Sequence, residues 1–319
     1  MALVTVLDDY QGVALESADW TPVTNRFEVA VLSAHIADPA AVVERLRDSE
    51  IVVAMRERTP FPASVLRELP SLRLLVTTGM KNAAIDLPAA ADLGITVCGT
   101  SASGTPVPEI TIGMIIALTR NFVAEDAAVR AGGWQHTIGP GLAGLTLGIV
   151  GLGRLGTPVA RLARAFDMDV IAWSPNLTAE RAAEQGVRAV GKSELFASSD
   201  VVTVHMPLSE RSRGLIGAAE FAAMKPTGYL VNTSRGPIVD EAALLDALRE
   251  RRIAGAALDV YDVEPLPVDH PLRSMPNTLL LPHIGYVTTD AYRTWYGEAV
   301  EDIVAWADGA PIRVLNSRD

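Results

Sequence analysis

Short apolar runs rich in Val, Ile and Leu alternate along most of this chain with stretches whose apolar residues recur every three or four positions. Runs of the first kind suit strands buried on both faces, and their alternation with helical patterns predicts parallel sheets built from βαβ units. In the first third of the chain the strands are expected at 4–7, 28–31, 51–54, 72–77 and 95–97. Between them Pro39 opens a helix whose Val42, Val43 and Leu46 share one face, with Asp38 as its N-cap. From Glu109 a longer helical pattern runs through Ile110, Met114, Ala117 and Leu118 to Phe122, behind Pro106 and Pro108. A helix of that length suits a bridge between two domains, with the boundary near Gly104. A second alternation fills 146–282, with strands at 146–150, 169–173, 201–204, 229–231, 256–260 and 278–281, and a helix over 288–307 leads to a short strand around Ile312.

Composition narrows the function classes. A length of 319 residues suffices for two domains with separate cores. The formal charge of -11 and the pI near 5.0 argue against nucleic acid or an anionic membrane as the main partner, because both require a basic surface. Any anionic substrate must therefore be held by local groups. Cys98 is the sole cysteine, so intrachain disulfides are excluded; it reads as a small buried residue, and a reducing, cytoplasmic compartment is expected. Residues 1–9 read as a strand ending in acids, not as an export signal. Apolar stretches such as 110–118 break within about ten residues, short of the about twenty that a membrane span needs.

The glycines of Gly151-Leu-Gly-Arg-Leu-Gly156 follow the strand at 146–150 and precede Leu155, Val159, Leu162 and Phe166 at helical spacing. In that context Gly151 permits a tight turn, Gly153 lets the backbone approach a pyrophosphate, and Gly156 allows close helix packing. Arg154 adds a positive charge. A dinucleotide is the expected ligand. The strand at 169–173 ends in Ser174-Pro175-Asn176, where an enzyme using NAD usually carries an acid for the ribose hydroxyls. No acid stands there and no Arg or Lys follows at once, so NAD and NADP both remain open, with a slight lean to NADP.

Three residues past later strands read as a catalytic set: Arg235 in Asn-Thr-Ser-Arg-Gly-Pro, Glu264 in Asp-Val-Glu-Pro, and His283 in Pro-His-Ile-Gly-Tyr. Hydride reduction of a carbonyl compound needs a proton at the carbonyl oxygen as hydride reaches the carbon, and an imidazole titrates close enough to neutrality to supply it. Glu264 can fix the tautomer of His283 and favour its protonated ring. The planar fork of Arg235 can hold a carboxylate and a carbonyl oxygen together. His35, His136 and His270 have no comparable setting and are expected on the surface. No cluster of Cys, His and acids has metal-ligand spacing.

This fingerprint and the downstream Arg/Glu/His set resemble the D-isomer-specific 2-hydroxyacid dehydrogenase family, in order and spacing, along nearly the whole chain. The resemblance implies two Rossmann-like α/β domains: a flavodoxin-like substrate domain from 1–103 and 286–319, to which the tail returns, and a dinucleotide-binding domain over 104–285, with the active site in the cleft between them. It extends the cofactor contacts to Leu155, Ser174, His205, Pro207, Thr233, Asp259 and Gly285. Of these, Asp259 stands where the family bonds the nicotinamide carboxamide, while His205 either lines the adenosine side or is a satisfied structural histidine. Thr77-Thr-Gly79-Met80-Lys81-Asn82 resembles the loop whose N–H groups grip the substrate carboxylate. Lys81, where glycine is often found, either charges the substrate site or points to solvent. Arg56 either holds a second anionic group or is a solvated strand-end charge. The implied partners are a small anionic 2-oxo or 2-hydroxy acid, glyoxylate- or hydroxypyruvate-like, and a second copy of the chain in a homodimer. The alternatives are a phosphoglycerate dehydrogenase-like oxidation and a non-enzymatic, corepressor-like dinucleotide sensor.

Overall fold

The computed structural model describes residues 1–101 and 106–317. The chain falls into two compact units, Met1–Gly104 with Val287–Asp319, and Thr105–Tyr286. The boundary expected near Gly104 lies outside the described residues.

The first unit holds five parallel strands, β1 (Leu3–Val6), β2 (Glu28–Val31), β3 (Ser49–Ala54), β4 (Leu74–Thr77) and β5 (Thr96–Gly99), in the order β2-β1-β3-β4-β5. Strand order reverses between β1 and β3, the place where open α/β sheets leave a crevice at the carboxyl ends of their strands. β4 starts later than the apolar run at 72, because the Leu72 N–H turns back to Leu69 O instead of joining the ladder. Asp38 caps the helix Pro39–Leu46 by accepting the N–H groups of Ala40 and Ala41, and Val42 and Leu46 face a core with Phe61, Leu66, Leu75 and Val97. The helix Thr289–Ala307, capped by the Thr288 hydroxyl, buries Tyr292, Trp295, Tyr296 and Ile303 in the same unit. The strand expected around Ile312 does not form. Ile312 is exposed, Arg313 takes φ +52°, and the tail makes one antiparallel bridge, between Val314 and Cys98. Pro311, which lacks an N–H, and the left-handed turn at Arg313 together interrupt the extended backbone that a ladder requires.

The second unit contains β6 (Thr146–Val150), β7 (Asp169–Trp173), β8 (Arg188–Ala189), β9 (Val201–Val204), β10 (Tyr229–Asn232), β11 (Gly255–Leu258) and β12 (Thr278–Leu280). All are parallel, in the order β12-β11-β10-β9-β6-β7-β8, with the reversal between β6 and β9. The expected long helix is broken. Val107–Thr119 packs Ile112, Met114, Ile115 and Leu118 into this unit's core; Asn121 then adopts φ +53°, and Phe122–Arg130 departs at 62°. Asn is among the few residues with a Cβ that tolerate a left-handed backbone, which explains why the apolar periodicity runs on while the helix does not. Phe166, placed by its spacing on the buried face of the helix Gly156–Ala165, lies just past its end and is exposed. Among the described residues no single helix is long and apolar enough to cross a membrane, and no three His, Cys, Asp or Glu side chains are placed to hold a metal.

Candidate active site

The loop after β6 shows why each glycine stands where it does. Gly151 donates its N–H to Trp173 O of β7 at 2.9 Å, has φ +102°, and would place a Cβ 2.6 Å from His205 O. Gly156 would place one 2.2 Å from Gly151 O. A Cβ at Gly153, by contrast, meets nothing within 4 Å. No protein atom calls for glycine there, so the open backbone at Gly153 fits close approach of an external group such as a pyrophosphate. Leu155 occupies the N-cap position of Gly156–Ala165 without a side-chain cap, and Arg154 is exposed beside it. The site thus combines a helix N-terminus, an uncrowded backbone and a cation, a set suited to a dinucleotide. Ser174 follows the residue that holds Gly151 and is half-buried; its carbonyl accepts from Leu177 N at 3.1 Å.

His205 follows β9 with its ring inside the protein. Its Nε2 lies 3.0 Å from Thr203 Oγ1, and burial pushes its pKa down to about 4. The ring is enclosed and neutral, its buried Nδ1 has no hydrogen-bond partner among the described residues, and its carbonyl backs Gly151. Pro207 is exposed at the strand end, and the Thr233 hydroxyl pairs with that of Thr111 at 3.1 Å. His270 does not lie free on the surface as its sequence setting suggests. Its Nδ1 accepts from Leu272 N and its Nε2 lies 3.1 Å from Glu241 Oε1, so it caps a short turn. His35 is also largely enclosed, its Nδ1 3.6 Å from Asp8 Oδ1, whereas the His136 ring is half-exposed beside Glu125.

Arg235 follows β10 in a turn that Asn232 organises, donating from Nδ2 to Arg235 O (2.9 Å) and accepting Ser234 N–H (3.0 Å). The next residue, Gly236, would place a Cβ 2.1 Å from the carbonyl carbon of Tyr261, so this turn lies flat on the loop after β11. In that loop Tyr261 donates its N–H to Glu264 Oε1 at 2.9 Å and directs its hydroxyl at Leu258 O (3.2 Å) and Leu281 O (2.9 Å). It thereby ties together the ends of the strands that carry Glu264 and His283. Glu264 Oε2 lies 2.5 Å from His283 Nδ1, while His283 Nε2 has no partner among the described residues. Burial pushes Glu264 up, but the hydrogen bond and charge of His283, the Tyr261 N–H and the Arg235 guanidinium outweigh it and hold the carboxyl below its ordinary value. The Tyr286 ring meets the imidazole edge-on at 5.3 Å. Asp259, 1% exposed, accepts Ile284 N–H and Gly285 N–H, each at 2.8 Å. An imidazole with one nitrogen anchored to a carboxylate and the other open can exchange a proton with a bound oxygen.

The first unit holds the remaining candidates. Arg56 lies past β3 at φ +50°, its N–H on Thr78 Oγ1 (2.8 Å), its Nη1 on Thr78 O (3.0 Å) and its guanidinium 6.0 Å from the Trp295 ring. A Cβ at Gly79, where φ is +95°, would lie 2.0 Å from Arg56 Nη1. The arginine is packed on this loop, so it is not merely a solvated strand-end charge. Gly79 donates its N–H inward to Thr100 Oγ1 at 2.8 Å, so its own amide is spent on the fold; Met80 and Lys81 follow it, and both side chains are exposed. Sequence reasoning missed Tyr261, Tyr286, Thr100 and Trp295. Tyr261, Thr100 and Trp295 contact distant segments, and Tyr286 meets His283 within one turn without any side-chain pattern to announce it.

Residues 112–285 match the sequence model of a family described as D-isomer specific 2-hydroxyacid dehydrogenase, NAD binding domain. A glyoxylate reductase of Thermofilum pendens is 35% identical over 305 residues, covering 93% of this chain and 85% of that protein. A D-3-phosphoglycerate dehydrogenase of Archaeoglobus fulgidus is 38% identical over 264 residues, 82% of this chain but 50% of that protein. The chain spans about half the length of the D-3-phosphoglycerate dehydrogenases it matches. Among solved structures, phosphoglycerate oxidoreductase from Vibrio cholerae superposes with a TM-score of 0.91 at 34% identity, covering 97% of this chain and all of that one. The family description names NAD and lends nothing to the lean towards NADP.

Proposed function

The chain belongs to the D-isomer specific 2-hydroxyacid dehydrogenase family, and from that premise we propose that it reduces a small 2-oxo acid to the D-2-hydroxy acid in the cytoplasm. The observation that carries this reading is the pairing of Glu264 with His283 Nδ1, which leaves Nε2 open. Gly151, Gly153, Arg154 and Gly156 would hold the cofactor pyrophosphate, with Ser174 on the adenosine ribose. When bound, a reduced nicotinamide cofactor supplies hydride. His283 gives its Nε2 proton to the substrate carbonyl oxygen, and ionised Glu264 stabilises the imidazolium beforehand. Arg235 holds the carboxylate and carbonyl oxygen in one plane. A glyoxylate- or hydroxypyruvate-like substrate is supported by the long match to a glyoxylate reductase. The full-length match to a phosphoglycerate oxidoreductase, and the packing of Arg56 on Gly79, favour a phosphorylated 2-hydroxy acid as second reading.

A screen of glyoxylate, hydroxypyruvate, pyruvate and 3-phosphoglycerate with both cofactors tests the proposal. Turnover of any 2-oxo acid supports a reductase; cofactor binding with no turnover of any compound would instead mean a dinucleotide sensor. Cofactor choice has its own test at Ser174. A carboxylate there accepts ribose hydroxyls but repels a 2′-phosphate by on the order of 1 kcal/mol in a partly desolvated site. Ser174→Asp is expected to shift the ratio of catalytic efficiencies at least about fivefold towards NAD. An unmoved ratio would place the ribose elsewhere.

We also propose a homodimer. The helix Phe122–Arg130 buries none of its residues, and Phe122, Val123, Val129, Trp134 (72%) and Ile138 (fully exposed) are exposed apolar side chains that a second copy would cover. Light scattering is expected to give twice the 33.9 kDa chain mass, and Trp134→Asp with Ile138→Asp to give monomers. A parent protein that is monomeric at micromolar concentration would refute it.

A further inference from the structure

Arg313 stands in the tail at φ +52°, a left-handed backbone that an L-residue with a Cβ adopts at a penalty, so contacts must hold it there. Its guanidinium supplies them. Nη2 donates to Glu298 O at 2.8 Å and to Glu301 Oε2 at 2.9 Å, and Nε donates to Asp302 Oδ1 at 3.0 Å, so one side chain spans a turn of the helix Thr289–Ala307. Asp302 is fully buried, and Arg313 is the one hydrogen-bond partner of its carboxyl among the described residues. The backbone of Arg313 serves β5 instead: its carbonyl accepts Gly99 N–H at 3.0 Å, and two residues on, Leu315 N–H donates to Val97 O at 2.7 Å. The three residues at the end of β5 then take different partners. Gly99 is held by the tail, Thr100 Oγ1 accepts the Gly79 N–H at 2.8 Å, and Ser101 donates its N–H and hydroxyl to the Glu298 carboxylate of the same helix. Thr100, which reaches the loop of Gly79, is thus fixed on both sides. Leu315 adds to this, because a Cβ at Gly99 would meet Leu315 Cδ1 at 3.0 Å, Gly79 O at 2.8 Å and Met80 Cα at 3.2 Å. Tail side chain and loop backbone close over one glycine.

We propose that Arg313 is a positioning residue for the substrate: by riveting the tail to the helix Thr289–Ala307 it holds the end of β5, and through Thr100 and Leu315 it fixes the Gly79 and Met80 backbone in the loop that meets the substrate carboxylate. The proposal rests on the reading of that loop as part of the substrate site. In this role Arg313 touches neither substrate nor cofactor. Its loss lets the loop sample more conformations, so a substrate must order the loop as it binds, and the cost falls on substrate affinity. The cofactor, held by the loop after β6, is spared.

Removing the guanidinium alone would leave Asp302 buried and unpaired, so the test combines Arg313→Asn with Asp302→Asn; asparagine tolerates the left-handed backbone, and neither residue then carries a charge. Measured on the full chain with the 2-oxo acid that the parent reduces best, KM is expected to rise about tenfold, with kcat within about threefold and KM for the cofactor within about twofold. Thr100→Val cuts only the last link and should give the same split. Arg313→Lys keeps a charge beside Asp302, but a single nitrogen cannot take the places of both Nε and Nη2, so KM should rise at least about threefold; this variant covers the case of a double variant that fails to fold. A KM within about twofold of the parent's in any of the three that folds would overturn the proposal. So would equal rises in KM for substrate and cofactor, the mark of general loosening. If the parent reduces none of the 2-oxo acids, the functional reading fails by itself, and hydrogen exchange still decides the positioning: the backbone amides of 77–82 should exchange at least about tenfold faster in the double variant, or in Arg313→Lys where the double variant does not fold, with those of 146–156 unchanged. Parental exchange over 77–82 would overturn it.

Discussion

Replacement of His283 by alanine is expected to lower kcat for 2-oxo acid reduction by about a thousandfold or more, while NADH affinity stays within about threefold. A large effect is expected because the proposed reading makes the imidazole the proton source at the reacting oxygen, through the Nε2 that Glu264 leaves open. Cofactor affinity is spared because the phosphate loop follows β6, with β9, β10 and β11 standing between it and the strand that leads to His283. Steady-state kinetics with fluorescence titration checks both halves, and near-parental turnover would remove His283 from the proton-transfer role. The variant has a second consequence, in acid. Glu264 is held below its ordinary value in the folded chain, so its pairing stabilises the fold above the unfolded carboxylate pKa, and that contribution is lost as pH falls through the lower, folded value. With the ring gone, burial acts on Glu264 with less to oppose it. The unfolding free energy should therefore fall less between about pH 5 and about pH 3 in the variant than in the parent.

Strand positions and the Arg/Glu/His triplet are legible in the sequence for the same reason: both depend on signals carried within a few residues. A buried parallel strand is a continuous apolar run, and Arg235, Glu264 and His283 each sit shortly behind one. What stays hidden depends on contacts between separate segments. β8 has two residues, Arg188 and Ala189, too few to show a pattern. The break at Asn121 comes from one residue's tolerance of positive φ, which the apolar spacing on either side conceals. In the tail the β-branched Ile312 suggests a strand, yet it is Val314 that pairs, with Cys98. At the site, both oxygens of Asp259 accept N–H groups from the backbone of the His283 loop, a use that its position in the chain does not announce. Tyr261 carries no signal, since its hydroxyl serves two carbonyls from separate segments, Leu258 and Leu281.

Arg235→Lys is expected to keep the charge and lose the function. The guanidinium donates from Nη1 to Ser234 O at 2.7 Å, which orients its plane, and a guanidinium carries enough further N–H groups to meet a substrate carboxylate and carbonyl as well. The backbone beneath it is fixed: Asn232 holds Arg235 O, Ser234 Oγ donates to Val204 O at 2.8 Å, and Gly236 rests on Tyr261. An ammonium on a flexible stem carries its donors on one nitrogen, so it cannot satisfy Ser234 O and also reach two substrate oxygens in one plane. The surrounding turn, being rigid, will not move to compensate. The lost anchoring is about 3 kcal/mol, which corresponds to a fall in kcat/KM on the order of a hundredfold. Because the substrate carbon is then less well aligned for hydride, part of the loss should fall on kcat as well as on KM, with NADH affinity again close to the parent's. A decline of less than about threefold would show that Arg235 does not anchor the substrate and that the carboxylate is held by other groups.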